Sequence, residues 1–274
     1  MKTVCPICPK QCALEEGQRG FCRARVNRGG VVVPENYGRV TSLALDPIEK
    51  KPLRRFFPGT KILSVGSYGC NMDCAYCQNS SIARADATAD WEEILPEALV
   101  ALAEQTRAQG NIGLAFTYNE PLIGYEFVLD TARLAKEKEL KTVLVTNGMI
   151  LPGPWGRLLP LIDAANIDLK AFTNEGYRSL GGDFGTVKQA ISSAAGRIHL
   201  ELTTLVIPGF NDSAEQMRDE VEWIAALDPA IPLHLSRFFP RHRMLATAPT
   251  PPETLRRMAD IAREKLEYVY IGNL

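Results

Sequence analysis

The sequence predicts an α/β fold in which a mainly parallel sheet carries one large domain behind a small cysteine-rich segment. Three observations predict it. From residue 61 onward, apolar strand-like runs alternate with helix-like stretches, the pattern of βαβ units. Polar or reactive residues recur just after successive strand ends, where barrel enzymes assemble their sites. Before residue 61 that alternation is missing, and four of the seven cysteines gather within the first 22 residues.

The strand candidates are residues 62–66, 112–117, 142–147, 164–169, 199–207 and 232–236, with a last strand at 267–272. Helical candidates lie near 91–109, 122–138, 155–162, 185–195, 213–226 and 252–265. Six such units form either an open sheet or a partial barrel. The rim residues favour the barrel: the stretch from Gly66 to Cys77, then Asn119-Glu120, Asn147-Gly148, Asp168 to Lys170 and Pro208-Gly209. Three segments follow: a four-cysteine knuckle at 1–30, an extended, hairpin-like bridge at 31–60 and the barrel at 61–274.

Net charge is −1, which argues against a nucleic-acid surface. Lys50, Lys51, Arg54 and Arg55 form one local basic stretch, read as a solvated loop or as a docking site for an electron donor. No apolar run is long enough to span a membrane, and the opening MKTVCPICPK lacks the apolar core of a signal peptide. A cytoplasmic location is therefore expected, and cysteine pairs in a reducing compartment suggest metals rather than disulfides. His199, His234 and His242 are isolated, no Ser-His-Asp set is evident, and no phosphate-binding glycine loop has the required spacing.

Cys70, Cys74 and Cys77 stand in a Cys-x3-Cys-x2-Cys spacing that arises by chance with probability of roughly 0.005. A short loop of that kind wraps three thiolates around one face of a [4Fe–4S] cube and leaves the fourth iron open to a substrate. The plain alternatives are a zinc site with a distant fourth ligand or an inert thiol cluster. Cys5, Cys8, Cys12 and Cys22 supply four thiolates, which suit a closed zinc site or a second iron–sulfur cluster.

The Cys-x3-Cys-x-aromatic-Cys motif resembles the signature of the radical S-adenosylmethionine superfamily. The opening CPICPKQC, then DPIEKKPL, GCNMDCAYCQN, TYNEP, VTNG, NIDLKAF, LVIPGFND, LSRFFP and YVYIGN resemble one subfamily within it: the radical enzyme of the AmmeMemoRadiSam system, related to pyruvate formate-lyase activating enzymes. The resemblance implies a partial (β/α)6 TIM-like barrel. It also implies reductive cleavage of S-adenosylmethionine at the cluster, giving a 5′-deoxyadenosyl radical that abstracts hydrogen from a substrate.

Residue roles carry over from the matching motifs. Tyr76 matches the aromatic position whose main chain touches adenine. Asn119 and Glu120 match the methionine-amine position, although Tyr118 and Asn119 replace the family's two glycines. Asn147 and Asp168 match polar positions near the ribose or amine, and Lys170 matches a lysine that pairs with the methionine carboxylate. Phe239 stands where related sequences often carry histidine.

The implied partners are an electron donor such as flavodoxin or ferredoxin, and either a glycyl-radical protein or a Memo-like protein. The substrate is open between a protein backbone, for an activase, and a small molecule or side chain. A non-catalytic iron–sulfur carrier or scaffold is the remaining class, and the open iron argues against it.

Overall fold

The computed structural model describes residues 2–274. Its core is an eight-stranded sheet comprising β1 (Ser42–Pro47), β2 (Lys61–Gly66), β3 (Asn111–Phe116), β4 (Lys141–Thr146), β5 (Ala164–Asp168), β6 (His199–Val206), β7 (Leu233–Arg237) and β8 (Val269–Gly272). Spatial order follows chain order from β1 to β8. Every pair is parallel except β1 with β2, which is antiparallel. β1 and β8 form the two free edges, so the curved sheet is an open, partial barrel.

The crossovers are helical. They include α1 (Pro96–Gln105), α2 (Tyr125–Glu137), α3 (Pro152–Leu158), α4 (Phe184–Ala194), α5 (Ala214–Leu227) and α6 (Pro252–Arg263). Local signals set their starts: proline in the first turn of α1, α3 and α6, and side-chain caps from Asp183 on α4 and Ser213 on α5. Helix α1 is shorter than the 91–109 expected, because Pro96 fixes its first turn and Glu92–Glu93 pairs as a strand with Arg39–Val40. Two short helices, Ser80–Ala83 and Asn174–Ser179, carry too little apolar periodicity to be read from sequence.

The expected bridge at 31–60 is more integrated than its composition suggests. Val31–Pro34 forms a hairpin with Arg25–Arg28 across residue 30, and β1 enters the main sheet. The chain from Ile48 to Phe56 then closes the bottom of the barrel. Ile48, Leu53 and Phe56 pack with Ile62, Ala115, Val143 and Ala164 of β2 to β5. Polar groups lock this plug. Asn166, on the same face of β5 as Ala164 by period two, donates to the Pro52 carbonyl at 2.8 Å. The fully buried Glu201 accepts from the Arg54 and Arg55 amides at 3.0 and 2.8 Å and contacts His199 and His234 at 2.8 and 2.5 Å. Burial acts to raise the Glu201 pKa, but the two histidines and two amides outweigh it and bring it to about 2.

Candidate active site

The three-cysteine loop leaves the C-terminal end of β2. Gly66 has no room for a side chain, since a Cβ there would stand 2.8 Å from Cδ2 of Tyr118. Gly69 has φ +89°, and its Cβ would stand 2.4 Å from the carbonyl oxygen of Cys22, so the loop begins in direct backbone contact with the N-terminal segment. Asn119 holds this start: its Oδ1 accepts from the Ser67 amide at 2.9 Å, and its Nδ2 donates to the carbonyls of Tyr68 and Gly69 at 3.2 and 3.1 Å. At the far end, Asn79 Nδ2 donates to the Tyr118 carbonyl at 2.7 Å. Between them, Asp73 donates its amide to Leu180 O at 2.9 Å and pairs with Arg243 and Arg84 at 3.0 and 3.4 Å.

The TYNEP segment follows β3. Tyr118 adopts φ +71°, the left-handed region that a glycine enters freely and that a larger residue occupies at about 1–2 kcal/mol. Its side chain offsets that strain. The hydroxyl donates to Asp46 at 2.7 Å, the Lys51 ammonium lies 2.8 Å from the same carboxylate, and that ammonium sits 4.7 Å from the Tyr118 ring centre. Burial works to raise the Asp46 pKa, but the hydrogen bonds from Lys51 and Tyr118 dominate and lower it to about 2. Lys51 is only 3% exposed. Of the basic stretch at 50–55, Lys51 is thus buried while Lys50, Arg54 and Arg55 remain exposed, with Arg55 3.6 Å from the Tyr268 ring centre and Arg54 5.9 Å from that of Tyr270.

Glu120 caps the short turn Pro121–Gly124 by accepting from the Leu122 amide at 3.0 Å. It also accepts from Thr146 Oγ1 at 2.7 Å and from the Asn147 amide at 2.8 Å, which joins the ends of β3 and β4. Burial raises its pKa to about 7 despite these donors. Asn147 continues the chain of contacts, with its Nδ2 2.9 Å from Asn71 Oδ1 and 3.8 Å from Cys70 Sγ. Cys70 Sγ also accepts from the Met72 amide at 3.4 Å.

From β5, Lys170 Nζ lies 3.0 Å from Asp168 Oδ2, and the Lys170 amide donates to Tyr177 Oη at 3.1 Å. Burial opposes the ammonium, yet Asp168 and the neighbouring Cys74 and Tyr76 hold its pKa well above the ordinary lysine value. Burial pushes all three thiols up, and the Lys170 charge partly counters it at each. The Tyr76 hydroxyl is buried without a partner, and its ring centre lies 6.3 Å from that of Phe210.

The structure thus gathers Cys70, Cys74, Cys77, Tyr76, Asn119, Glu120, Asn147, Asp168 and Lys170 at one rim. Among the described residues, no three or more His, Cys, Asp or Glu side chains already stand in metal-holding geometry. The donor chemistry nevertheless fits an iron–sulfur group: three free thiols on one anchored loop, two N–H donors aimed at Cys70 Sγ and a cation beside all three sulfurs. All seven cysteines are free thiols, and Cys5, Cys8, Cys12 and Cys22 line one common cavity.

Sequence reasoning missed Asn71, Asn79 and Arg243. The two asparagines carried a signal, being amide residues inside or directly after the cysteine motif. Arg243 carried none, since it arrives from a loop more than 160 residues away in sequence.

The sequence profile of the Radical SAM superfamily matches residues 64–221. The chain belongs to this superfamily. It is 38% identical over its whole length to an uncharacterised protein of Methanocaldococcus jannaschii, covering 82% of that protein. It is 27% identical to the pyruvate formate-lyase-activating enzyme of Clostridium pasteurianum over 55% of this chain and 63% of that enzyme. The chain therefore spans less than two-thirds of that activating enzyme's length. A radical SAM methyltransferase from Sphaerobacter thermophilus shares the fold, with a TM-score of 0.58 at 19% identity over 79% of this chain and 67% of that one. A domain of a pyruvate-formate lyase-activating enzyme from Bacteroides vulgatus aligns with a TM-score of 0.51 at 18% identity, over 59% of this chain and 99% of that domain. The four-cysteine segment lies outside the matched profile. Among the described residues no helix is long and apolar enough to cross a membrane.

Proposed function

We propose that this chain is a radical enzyme related to the glycyl-radical activating enzymes, with Cys70, Cys74 and Cys77 as the ligands of a [4Fe–4S] cluster. The anchored three-cysteine loop beside Asn147 and Lys170 carries the reading. When bound, the cluster supplies the electron that splits S-adenosylmethionine and so starts hydrogen abstraction.

The protein groups then have definite tasks. Asn147 Nδ2 donates toward Cys70 Sγ and favours its thiolate form. Lys170 offers a cation for the methionine carboxylate, with Asp168 fixing its direction and available to the amine or ribose. Tyr76 places its main chain beside adenine. Asn119 holds the loop's entry. Glu120 is the carboxylate for the methionine amine, and its three present donors hold it ready at the rim.

For the substrate, the likeness to activating enzymes favours a partner protein that presents the abstracted hydrogen, with a low-potential carrier such as flavodoxin or ferredoxin as reductant. The AmmeMemoRadiSam motifs favour a Memo-like partner as the second reading. Cys5, Cys8, Cys12 and Cys22 are read as a zinc site, with a second iron–sulfur cluster as its alternative.

Anaerobically reconstituted protein, reduced and mixed with S-adenosylmethionine, should show an altered EPR spectrum and release 5′-deoxyadenosine. A spectrum indifferent to S-adenosylmethionine would leave a carrier or scaffold as the better account. Transfer of deuterium from a labelled candidate glycyl-radical protein into 5′-deoxyadenosine would decide between the partners.

A further inference from the structure

The four-cysteine segment packs against the three-cysteine loop. Pairing of Thr3–Val4 with Ala13–Leu14 folds the segment back on itself, and the Cys5 amide donates to the Cys12 carbonyl at 3.0 Å. Cys5, Cys8, Cys12 and Cys22 then share the wall of one cavity with Lys10, Arg25 and Asn71.

Arg25 is the unusual member. It is 2% exposed. Both Nη atoms reach the Glu126 carboxylate at 2.7 Å and also donate to the carbonyls of Ile123 and Val32, at 2.9 and 3.1 Å. Its Nε is buried with no partner, with Cys5 beside it. A buried N–H without an acceptor is destabilising. A neutral thiol is a weak acceptor, whereas a metal-bound thiolate is a strong one. Because the Glu126 carboxylate already pairs with the two Nη groups, what Arg25 offers the cavity is this Nε–H donor.

The same cavity touches the loop expected to hold the cluster, at two points. The Cys22 carbonyl lies where a Gly69 side chain would be. Asn71, in the cavity wall, donates to the Met149 carbonyl at 2.8 Å and accepts from Asn147 Nδ2, the amide 3.8 Å from Cys70 Sγ.

We propose that Cys5, Cys8, Cys12 and Cys22 form a closed zinc–tetrathiolate site, with the Arg25 Nε–H as donor to its thiolates, whose metal fixes the position of the Cys70 loop. Arg25 is a positioning residue here, and the coupling rests on the reading of Cys70, Cys74 and Cys77 as cluster ligands. Zinc supplies no electron, so the site acts through geometry alone.

The test uses the full chain, purified without oxygen, with zinc and iron measured by mass spectrometry and the reduced EPR spectrum recorded with and without S-adenosylmethionine. Wild type should hold about one zinc and about four irons per chain. Cys70→Ala should keep the zinc and lose the iron. Cys8→Ala should lose the zinc, and its iron content and S-adenosylmethionine response should fall roughly tenfold. Stripping zinc from folded wild type with a chelator gives the same comparison without depending on a variant's folding. About eight irons and no zinc, or no second metal, would overturn the zinc site. Zinc loss with unchanged iron and an unchanged spectral response would overturn the coupling. A wild type that holds zinc yet never responds to S-adenosylmethionine would overturn the proposed function, and the coupling with it, but not the zinc site.

Discussion

Replacing Glu220 with glutamine should stabilise the protein, and by more as pH rises. Glu220 lies on α5, is 3% exposed, and its carboxyl meets only Thr204 Oγ1, at 2.5 Å. The Thr204 hydroxyl has one hydrogen, and the Leu169 carbonyl 3.0 Å away accepts it. That hydrogen can serve only one of the two oxygens, so a protonated Glu220 that donates to Thr204 is the arrangement that satisfies both contacts at once. Burial raises its pKa from 4.5 to about 8, in agreement with that geometry. The unfolded chain ionises this group freely near pH 4.5, so the folded state binds the extra proton and stability falls as pH rises from 4.5 toward 8, levelling above it. At 1.36 kcal/mol per pKa unit, the shift amounts to about 3 kcal/mol of destabilisation at pH 7 and about 5 kcal/mol above pH 8. Glutamine donates to Thr204 from an amide that never ionises, so Glu220→Gln removes this burden. Imperfect amide geometry reduces the expected gain to roughly 1–3 kcal/mol at pH 7. Paired unfolding curves of wild type and variant between pH 5 and 9 measure the gap. A gap that does not widen with pH, or a variant less stable than wild type at pH 8, would refute the protonated-acid reasoning.

Asn119→Ala removes the anchor of Ser67, Tyr68 and Gly69 and should lower stability by about 2–3 kcal/mol in denaturant melts, with a matching drop in bound iron. Lys170→Met should raise the S-adenosylmethionine Kd roughly tenfold in calorimetric titration and, by removing the charge that favours the three thiolates, should also lower bound iron. Glu201→Ala leaves two plug amides and two histidines without their shared acceptor and should cost about 3 kcal/mol at pH 7. Because the folded Glu201 pKa is depressed to about 2, its contribution is present above about pH 4.5 and is lost as pH falls toward 2. The wild-type and variant acid-unfolding curves should therefore converge at low pH.

The parallel strands were readable because each is an apolar run bounded by polar rim residues, as in β4 and β5. The cysteine spacings were equally visible, since ligand geometry on a short loop constrains sequence directly. What stayed hidden depended on contacts distant in the chain. Ser42–Pro47 looks like a stray extended piece until β2 supplies its partner, and Lys51 looks like a surface lysine until Asp46 and Tyr118 enclose it. Tyr118 was the least readable position. A tyrosine gives no sign of a left-handed turn, yet the backbone adopts one there, and the side chain finds partners inside the barrel.

The plug from Ile48 to Phe56 has a consequence for traffic through the molecule. With the lower end of the barrel filled by Leu53, Phe56 and their apolar neighbours, and Glu201 tying down the chain there, reactants cannot arrive from below. The rim therefore lies at the open end, away from the plug, and β1 and β8 are the sheet's two unpaired edges. On the proposed reading of a radical enzyme, opening the plug would admit water to a site whose chemistry depends on its exclusion.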